Sequence, residues 1–209
     1  LQHKFPNIQT IPLYENLGYA GNNNIGIQAA MEQGAEWIFV LNDDTVLDPS
    51  CLSSLIEVAE CDPTLGVLGP MVYHFDEPQI IQTAGGILGQ SWMIRHLGQD
   101  QQDHGQFDSV HDVEWISGCA ILVRRALVDE IGMLDADYFL YWEEVEWCVR
   151  AHKAGWRIGH VPQAKLWHKG VKQYRNYQPK PYVTYYVTRN HLYTLLKHQA
   201  PLQAYFAAF

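Results

Sequence analysis

The sequence predicts an α/β protein with a mostly parallel central sheet, a mixed second half and a C-terminal helix. Three observations carry that expectation. Strand-like and helix-like segments alternate through the first half of the chain. The run Trp37 to Leu41 is short, continuous and apolar, as a strand buried on both faces would be. The composition, 47% hydrophobic and 18% charged over 209 residues, suits a single full-sized core.

The elements follow in order. Ile8 to Leu13 reads as a short strand, and Asn22 to Gln33 as a helix with Gly34 placed to end it. After the strand Trp37 to Leu41, Asp48-Pro49 reads as a helix start, with a side-chain acceptor at the cap and Pro at the first position. That helix should run to about Glu60, and Val67 to Tyr73 is the next strand. Ile80 to about Val113 is irregular and glycine-rich, which predicts hairpins and a mobile loop. Cys119 to Val123 is a strand, followed by a short helix to Ile131. Trp142 to Ala154 is a helix closed by Gly155. Arg157 to Val161 and Lys165 to Trp167 read as two short strands, and Tyr182 to His198 as a longer helix.

Composition also excludes some roles. The net charge is −9 and the cations are scattered, so no basic stripe exists to track a phosphate backbone, and nucleic acid is not an expected partner. Cys51, Cys61, Cys119 and Cys148 form no CxxC pair and read as reduced thiols of a cytoplasmic protein. No signal peptide is visible, and no apolar run reaches the ~20 residues of a membrane span. Both ends are abrupt, so a fragment of a longer protein is expected.

Three segments can carry chemistry. Asn42-Asp43-Asp44 follows a buried strand, and the carboxyl ends of strands are where open α/β sheets bind ligands. A carboxylate pair there can hold Mg2+ or Mn2+, or can be a solvated loop. A calcium loop is a poorer fit: counting from Asp43, Thr45 and Leu47 occupy alternate ligand positions, and Asp48 stands where Gly is needed. Glu143 and Glu144 fall in the first turn of a helix, whose positive end favours their ionised form. An ionised carboxylate there can accept a proton from an attacking hydroxyl, or can simply complement the helix dipole. Glu146 and Arg150, four apart, read as a surface pair. His168 ends a short strand before Gly170; it is either solvated or a ligand completing an oxygen–nitrogen metal site.

Together, "ENLGYAGNNNIGIQAAMEQGAEWIFVLNDDTVLDP" and "WISGCAILVRRALVDEIGMLDADYFLYWEEVEWCVRAHKAGWRIGHVPQAKLWHKG" resemble family 2 glycosyltransferases of the GT-A fold, in their rhamnosyltransferase-like branch. The similarity runs from about Phe5 to Gly170. It implies a GT-A domain over residues 1–170 and a helical extension over 171–209. Asn42-Asp43-Asp44 matches the family's DxD motif, with Asn42 in place of the first Asp. By that likeness Asp44 ligates the metal, while Asn42 and Asp43 face the nucleotide sugar. Glu143-Glu144 matches the family's ED pair, so Glu144 stands as the catalytic base with Glu143 as the other candidate. His168 matches a His on the metal or diphosphate. Asn16, Gly18, Gly21, Asn24 and Gly26 match a loop and helix start near the nucleotide, an apt place for a diphosphate.

The resemblance implies an inverting displacement assisted by Mn2+ or Mg2+. A nucleoside-diphosphate sugar is the donor, and a saccharide or lipid-linked saccharide the acceptor. Trp115, Gly118, Tyr141 and Trp142 would line the acceptor, although Trp115 can equally be core. The alternatives are a non-catalytic sugar-nucleotide or glycan-binding fragment and a nucleotidyltransferase. The family begins with a strand and helix that serve the nucleobase. Nothing before Leu1 supplies them, so a longer natural protein and impaired nucleotide binding by this piece are expected. In the C-terminal helix, Tyr182, Tyr185, Tyr186, Leu192, Tyr193, Leu195 and Leu196 are spaced for an amphipathic face. Arg189-Asn190 lies inside it, which favours packing there. The expectation is that the helix docks up to about Leu192 and that its end, from about Leu195, is free to meet an anionic lipid surface at the inner face of the membrane.

Overall fold

The computed structural model describes residues 5–89, 92–170 and 179–201. Among them the order is α1 (Gly18–Glu32), β1 (Trp37–Leu41), β2 (Thr45–Leu47), α2 (Cys51–Cys61), β3 (Leu65–His74), β4 (Ile81–Thr83), β5 (Gly86–Ile87) and β6 (Arg95–His96). Then come β7 (His111–Asp112), β8 (Ala120–Arg124), α3 (Arg125–Ile131), a 3-10 turn at Ala136–Tyr138, α4 (Glu143–Lys153), β9 (Arg157–His168) and α5 (Pro181–Lys197).

The main sheet runs β1-β8-β3-β9-β2, with β4 on β3 and β7 on β9. Its longest ladder is parallel, β3 on β9, from Leu65 opposite Arg157 to His74 opposite His168. β1 points the same way, and β8 lies antiparallel between β1 and β3. The mixing therefore reaches the centre of the sheet. Apolar patterning reports burial and not direction, so the sequence could not place β8 there.

Two cores flank the sheet. Ile38 and Val40 of β1 join Ala20 and Ile27 of α1, Leu127 of α3 and Trp147 and Cys148 of α4 on one face. On the other, Cys51, Leu55 and Ala59 of α2 pack on Leu65, Leu68, Leu122 and Val161, with Trp37 and Phe39 against them. β1 thus buries one face more deeply than the other, and Leu41 is exposed. All four cysteines are free thiols, and only Cys61 is exposed.

Several expected elements differ. Ile8 to Leu13 forms no strand, and Ile8, Ile11 and Leu13 are exposed. An apolar run becomes a strand only where another strand offers it a ladder. α1 begins at Gly18, four residues early, because the Asn16 side chain accepts the Gly18 N–H at 2.9 Å. α2 begins at Cys51, because Asp48 spends its side chain on a preceding turn, accepting the N–H of Ser50 at 2.9 Å and its hydroxyl at 2.6 Å. The strands expected at 157–161 and 165–167 are one strand, β9, with its register against β3 broken between Val161 and Lys165. Pro162 sits in that break, where a missing N–H does no harm.

Candidate active site

β1 delivers Asn42-Asp43-Asp44 to the carboxyl end of the sheet. The Asn42 N–H donates to the Cys119 carbonyl at 2.9 Å, and the Thr45 hydroxyl donates to the Asn42 carbonyl at 2.7 Å. The chain then reverses into β2, which pairs with the end of β9 and sets Thr45 opposite His168. That pairing brings Asp44 Oδ1 to 3.1 Å from His168 Nε2. Two residues 124 apart in sequence are neighbours because a three-residue strand, invisible to patterning, folds back.

The donor set there is informative. His168 Nδ1 lies 3.0 Å from Gln82 Oε1, an atom that only accepts, so the ring proton belongs on Nδ1. Nε2 then turns a lone pair toward Asp44 Oδ1, itself a buried atom with no hydrogen-bond partner. Two acceptors face each other at contact distance. A second proton on the ring or a cation between them relieves that conflict. The carboxylate oxygen suits Mn2+ or Mg2+, and the imidazole nitrogen tilts the choice from Mg2+ toward a transition ion such as Mn2+. Among the described residues no group of three or more His, Cys, Asp or Glu could hold a metal. Asp44 and His168 would thus supply two ligands, and the rest of an ion's shell would come from substrate oxygens and water.

The second half of the site is the carboxylate pair at the start of α4. Before it, Phe139, Tyr141 and Trp142 all take positive φ, at 63°, 67° and 76°. Non-glycine residues in that region cost roughly 1–3 kcal/mol each, so surrounding contacts must hold the loop. α1 grips one side: the Phe139 carbonyl accepts from the Ala20 N–H at 3.4 Å. Gly18, at φ 74°, lets it come so close that a Cβ there would lie 2.2 Å from that oxygen. α5 grips the other. Asn190 Nδ2 donates to the carbonyls of Tyr138, Leu140 and Tyr141 at 2.9, 2.8 and 2.7 Å. Trp142 stacks on His191 with ring centres 4.4 Å apart.

Held this way, Glu143 is 3% exposed and Glu144 half-buried, and each has one carboxylate oxygen shielded and without a hydrogen-bond partner. Burial first, and then the neighbouring Glu144, pushes the Glu143 carboxyl up to about 9. Burial also raises Glu144, against the opposing pull of backbone N–H groups that include those of Gly118 and Val145. The Tyr19 hydroxyl, raised chiefly by burial, feels both carboxylates and donates to the Gly118 carbonyl. The Cys119 thiol, pushed up to about 12 mainly by burial, feels both Glu144 and Asp44. The pair and the acidic turn thus converge on the start of β8.

Other expected site residues sit elsewhere. The Asn24 amide clamps the Leu134 backbone, donating to the carbonyl at 2.7 Å and accepting the N–H at 3.1 Å. Asn16 is consumed in starting α1, and Gly18 packs under Phe139. Trp115 is 2% exposed, lies edge-on to His96 and packs so tightly on Gly86 that no sugar could stack on it. Trp142 is 4% exposed, with His191 on its face. Gly118 is buried, and Tyr141 stands half-buried in the strained loop. Asn42 is half-buried and Asp43 exposed beside Asp44.

One charge reading and one docking reading are corrected. Glu146 is not on the surface but fully buried, bound by Arg150 at 2.9 Å, Lys197 at 2.9 Å and His198 at 3.1 Å. Burial pushes its carboxyl up, but the His198 hydrogen bond and the Arg150 and Lys197 cations outweigh it and hold it at about 2. They tie the end of α5 to α4, which reverses the expected division of that helix. Tyr182 and Tyr185 are 48% and 61% exposed, while Asn190, Thr194 and Leu195 are fully buried. The buried face is polar, so hydrophobic spacing alone pointed to the wrong half. Residues 202–209, the rest of the expected lipid-facing end, lie outside the described ones. No described helix is long and apolar enough to cross a membrane. Gln82 and Asn190 are the contributors that sequence reasoning missed as site residues. Nothing marked Gln82, whereas a polar Arg189-Asn190 within an amphipathic helix was a usable signal.

An α/β sheet with an acidic turn beside a His at its carboxyl end, and a buried carboxylate pair opening a helix, is the arrangement expected of a GT-A glycosyltransferase fold. Solved structures agree on the fold. GalNAc-T7 with UDP, GalNAc and Mn2+ superposes with a TM-score of 0.64 at 13% identity, covering 89% of this chain and 36% of that one. Mannosyltransferase PcManGT from Pyrobaculum calidifontis with GDP-Man and Mn2+ gives 0.57 at 12% identity, covering 96% and 51%. The chain belongs to the glycosyltransferase-like family 2, whose family model matches residues 1–190. An N-acetylglucosaminyl-diphospho-decaprenol L-rhamnosyltransferase of Mycobacterium tuberculosis is 31% identical over 185 residues, covering 79% of this chain and 60% of the relative. The dTDP-rhamnosyl transferase RfbF of Shigella flexneri is 26% identical over 204 residues, covering 93% and 65%. The chain thus spans somewhat under two thirds of the length of these relatives.

Proposed function

We infer that this chain is the donor- and acceptor-facing part of an inverting, metal-assisted glycosyltransferase. It would move a sugar from a nucleoside-diphosphate sugar to a hydroxyl of a saccharide or lipid-linked saccharide. The observation that carries this reading is the convergence of Asp44 Oδ1 and His168 Nε2, both acceptors 3.1 Å apart. The Asn42 N–H donates to the Cys119 carbonyl, and the neighbouring Gly118 N–H donates to Glu144, so the acidic turn and Glu144 meet the same short stretch before β8. Mn2+ or Mg2+ bound between them would stabilise the charge of the departing diphosphate. Asn42 and Asp43 flank that point and would meet the nucleotide sugar.

Glu144 is the base in this reading. Glu143, raised to about 9, keeps its proton near neutral pH. In this reading Glu144 is the member that ionises: burial raises it too, but backbone N–H groups aimed at its carboxylate pull the other way. Burial keeps it more basic than an exposed carboxylate, which suits proton abstraction from an acceptor hydroxyl. Rhamnosyl transfer, the activity named for two relatives, makes dTDP-rhamnose the first donor to test.

The test is release of nucleoside diphosphate from a panel of nucleotide sugars with Mn2+, using protein carrying this chain. Metal-dependent release that Asp44→Ala abolishes is the expected result. Full activity of Asp44→Ala in EDTA would overturn the metal assignment, and no turnover of any donor would overturn the transferase reading.

A further inference from the structure

We propose that Asn190, on α5, is a positioning residue for the Glu143–Glu144 pair, so that the C-terminal helix is part of the working site. The proposal rests on the transferase reading for its activity consequence and on geometry for its substance. Asn190 is fully buried. Its side-chain oxygen accepts from Arg189 Nη1 at 2.8 Å, so its NH2 must face the loop. There it meets three carbonyls, those of Tyr138, Leu140 and Tyr141, at 2.7–2.9 Å. An NH2 has two hydrogens, so one of them is shared.

One side chain thus gathers all three carbonyls. They belong to the stretch in which Phe139, Tyr141 and Trp142 have positive φ, and the next two residues are the carboxylates. The remaining α5 contacts converge on the same place. Arg189 Nη1 donates to the Asp137 carbonyl at 2.8 Å. The Thr194 hydroxyl donates to the Asn190 carbonyl at 2.7 Å, which leaves its oxygen to accept from the Tyr138 hydroxyl at 2.7 Å. Phe139 stacks on Tyr186 and Trp142 on His191. A helix that served only to cover the core would have no reason to gather three carbonyls of a strained loop. A small shift of that loop moves Glu144, and misplacing a reacting group by ~1 Å can cost about a hundredfold in rate.

The experiment compares Asn190→Asp, Asn190→Ala and Leu195→Ala in the full chain. Asp keeps the shape of Asn and turns the donor into an acceptor. Leu195 is buried on the same helix in an apolar cluster with Ala200, Leu192 and Trp92. Each variant is followed by thermal melting, by amide hydrogen exchange at Leu140 and Glu146, and by kcat and donor KM. Both Asn190 variants should speed exchange at Leu140 and Glu146. They should lower kcat by roughly tenfold to a hundredfold and change donor KM less than about threefold. Leu195→Ala should leave the loop's exchange and kcat near wild type, even at an equal loss of melting temperature. An Asn190→Asp variant with wild-type exchange and kcat would overturn the proposal. Equal effects of Leu195→Ala at matched stability would do the same. If the wild-type chain transfers no sugar, the transferase reading fails, and the exchange comparison still decides whether Asn190 holds the loop.

Discussion

Replacing Glu143 with Gln should make the protein more stable at neutral pH. Glu143 is 3% exposed, and burial with Glu144 beside it pushes its carboxyl up to about 9, against 4.5 for an ordinary Glu. In the unfolded chain the group ionises near the lower value, so on raising the pH the unfolded state sheds its proton first. Below about 4.5 both states are protonated and there is no penalty. Between about 4.5 and about 9 the folded state loses about 1.4 kcal/mol per pH unit relative to the unfolded one, and above that the penalty is constant. At pH 7 the penalty is about 3 kcal/mol. Gln cannot ionise and escapes it, and its NH2 can donate to Glu144. Because the two carboxyls titrate together, a net gain of about 2 kcal/mol at pH 7 is the working figure, or roughly 4–8 °C in melting temperature for a chain of this size. Urea unfolding at about pH 4.5, 6 and 7.5, at constant m-value, reads it directly. The variant should match wild type at the lowest pH and pull ahead steadily. A Glu143→Gln protein that is less stable at pH 7.5, or whose difference from wild type does not change with pH, would refute the reasoning.

Three further outcomes are expected. Glu146→Ala strands Arg150, Lys197 and His198 around an empty buried position, and should cost about 3–5 kcal/mol in urea unfolding. Because Glu146 is held at about 2, the stability it supplies is full above about pH 4.5 and fades as the pH falls toward 2; an acid titration of the melting temperature that Glu146→Gln leaves unchanged would count against it. Gly18→Ala puts a methyl 2.2 Å from the Phe139 carbonyl at a φ of 74°, and should cost roughly 2–4 kcal/mol and loosen the loop before α4, seen as faster exchange at Leu140.

The α/β class, the strand at Trp37–Leu41 and the helices carrying the carboxylates and the C-terminus were legible, because each has a strong pattern and a glycine or proline at a boundary. Directions and partnerships were not. β2 is only three residues long, with Val46 exposed and its neighbours half-exposed, too short for a period to read, yet it is what brings Asp44 to His168. Gln82 and Asn190 work through backbone and side-chain partners far along the chain, which no local pattern encodes. Asn24 and Trp115 show the opposite error. Their residue types suit ligand binding, but the fold commits one to the Leu134 backbone and the other to Gly86 and His96. Glu146 and Arg150 keep helical i,i+4 spacing whether exposed or buried, so only the docking of α5 reveals the difference.

The central claim is that Glu144, and not its neighbour, takes the acceptor's proton at a sugar-transfer site built on the Asn42–Asp44 turn. Turnover of Glu144→Gln and Glu143→Gln, measured side by side at saturating donor and Mn2+, tests it most directly. The account predicts that Glu144→Gln falls roughly 10²-fold or more with donor affinity little changed, while Glu143→Gln stays active. An active Glu144→Gln beside a dead Glu143→Gln would contradict it.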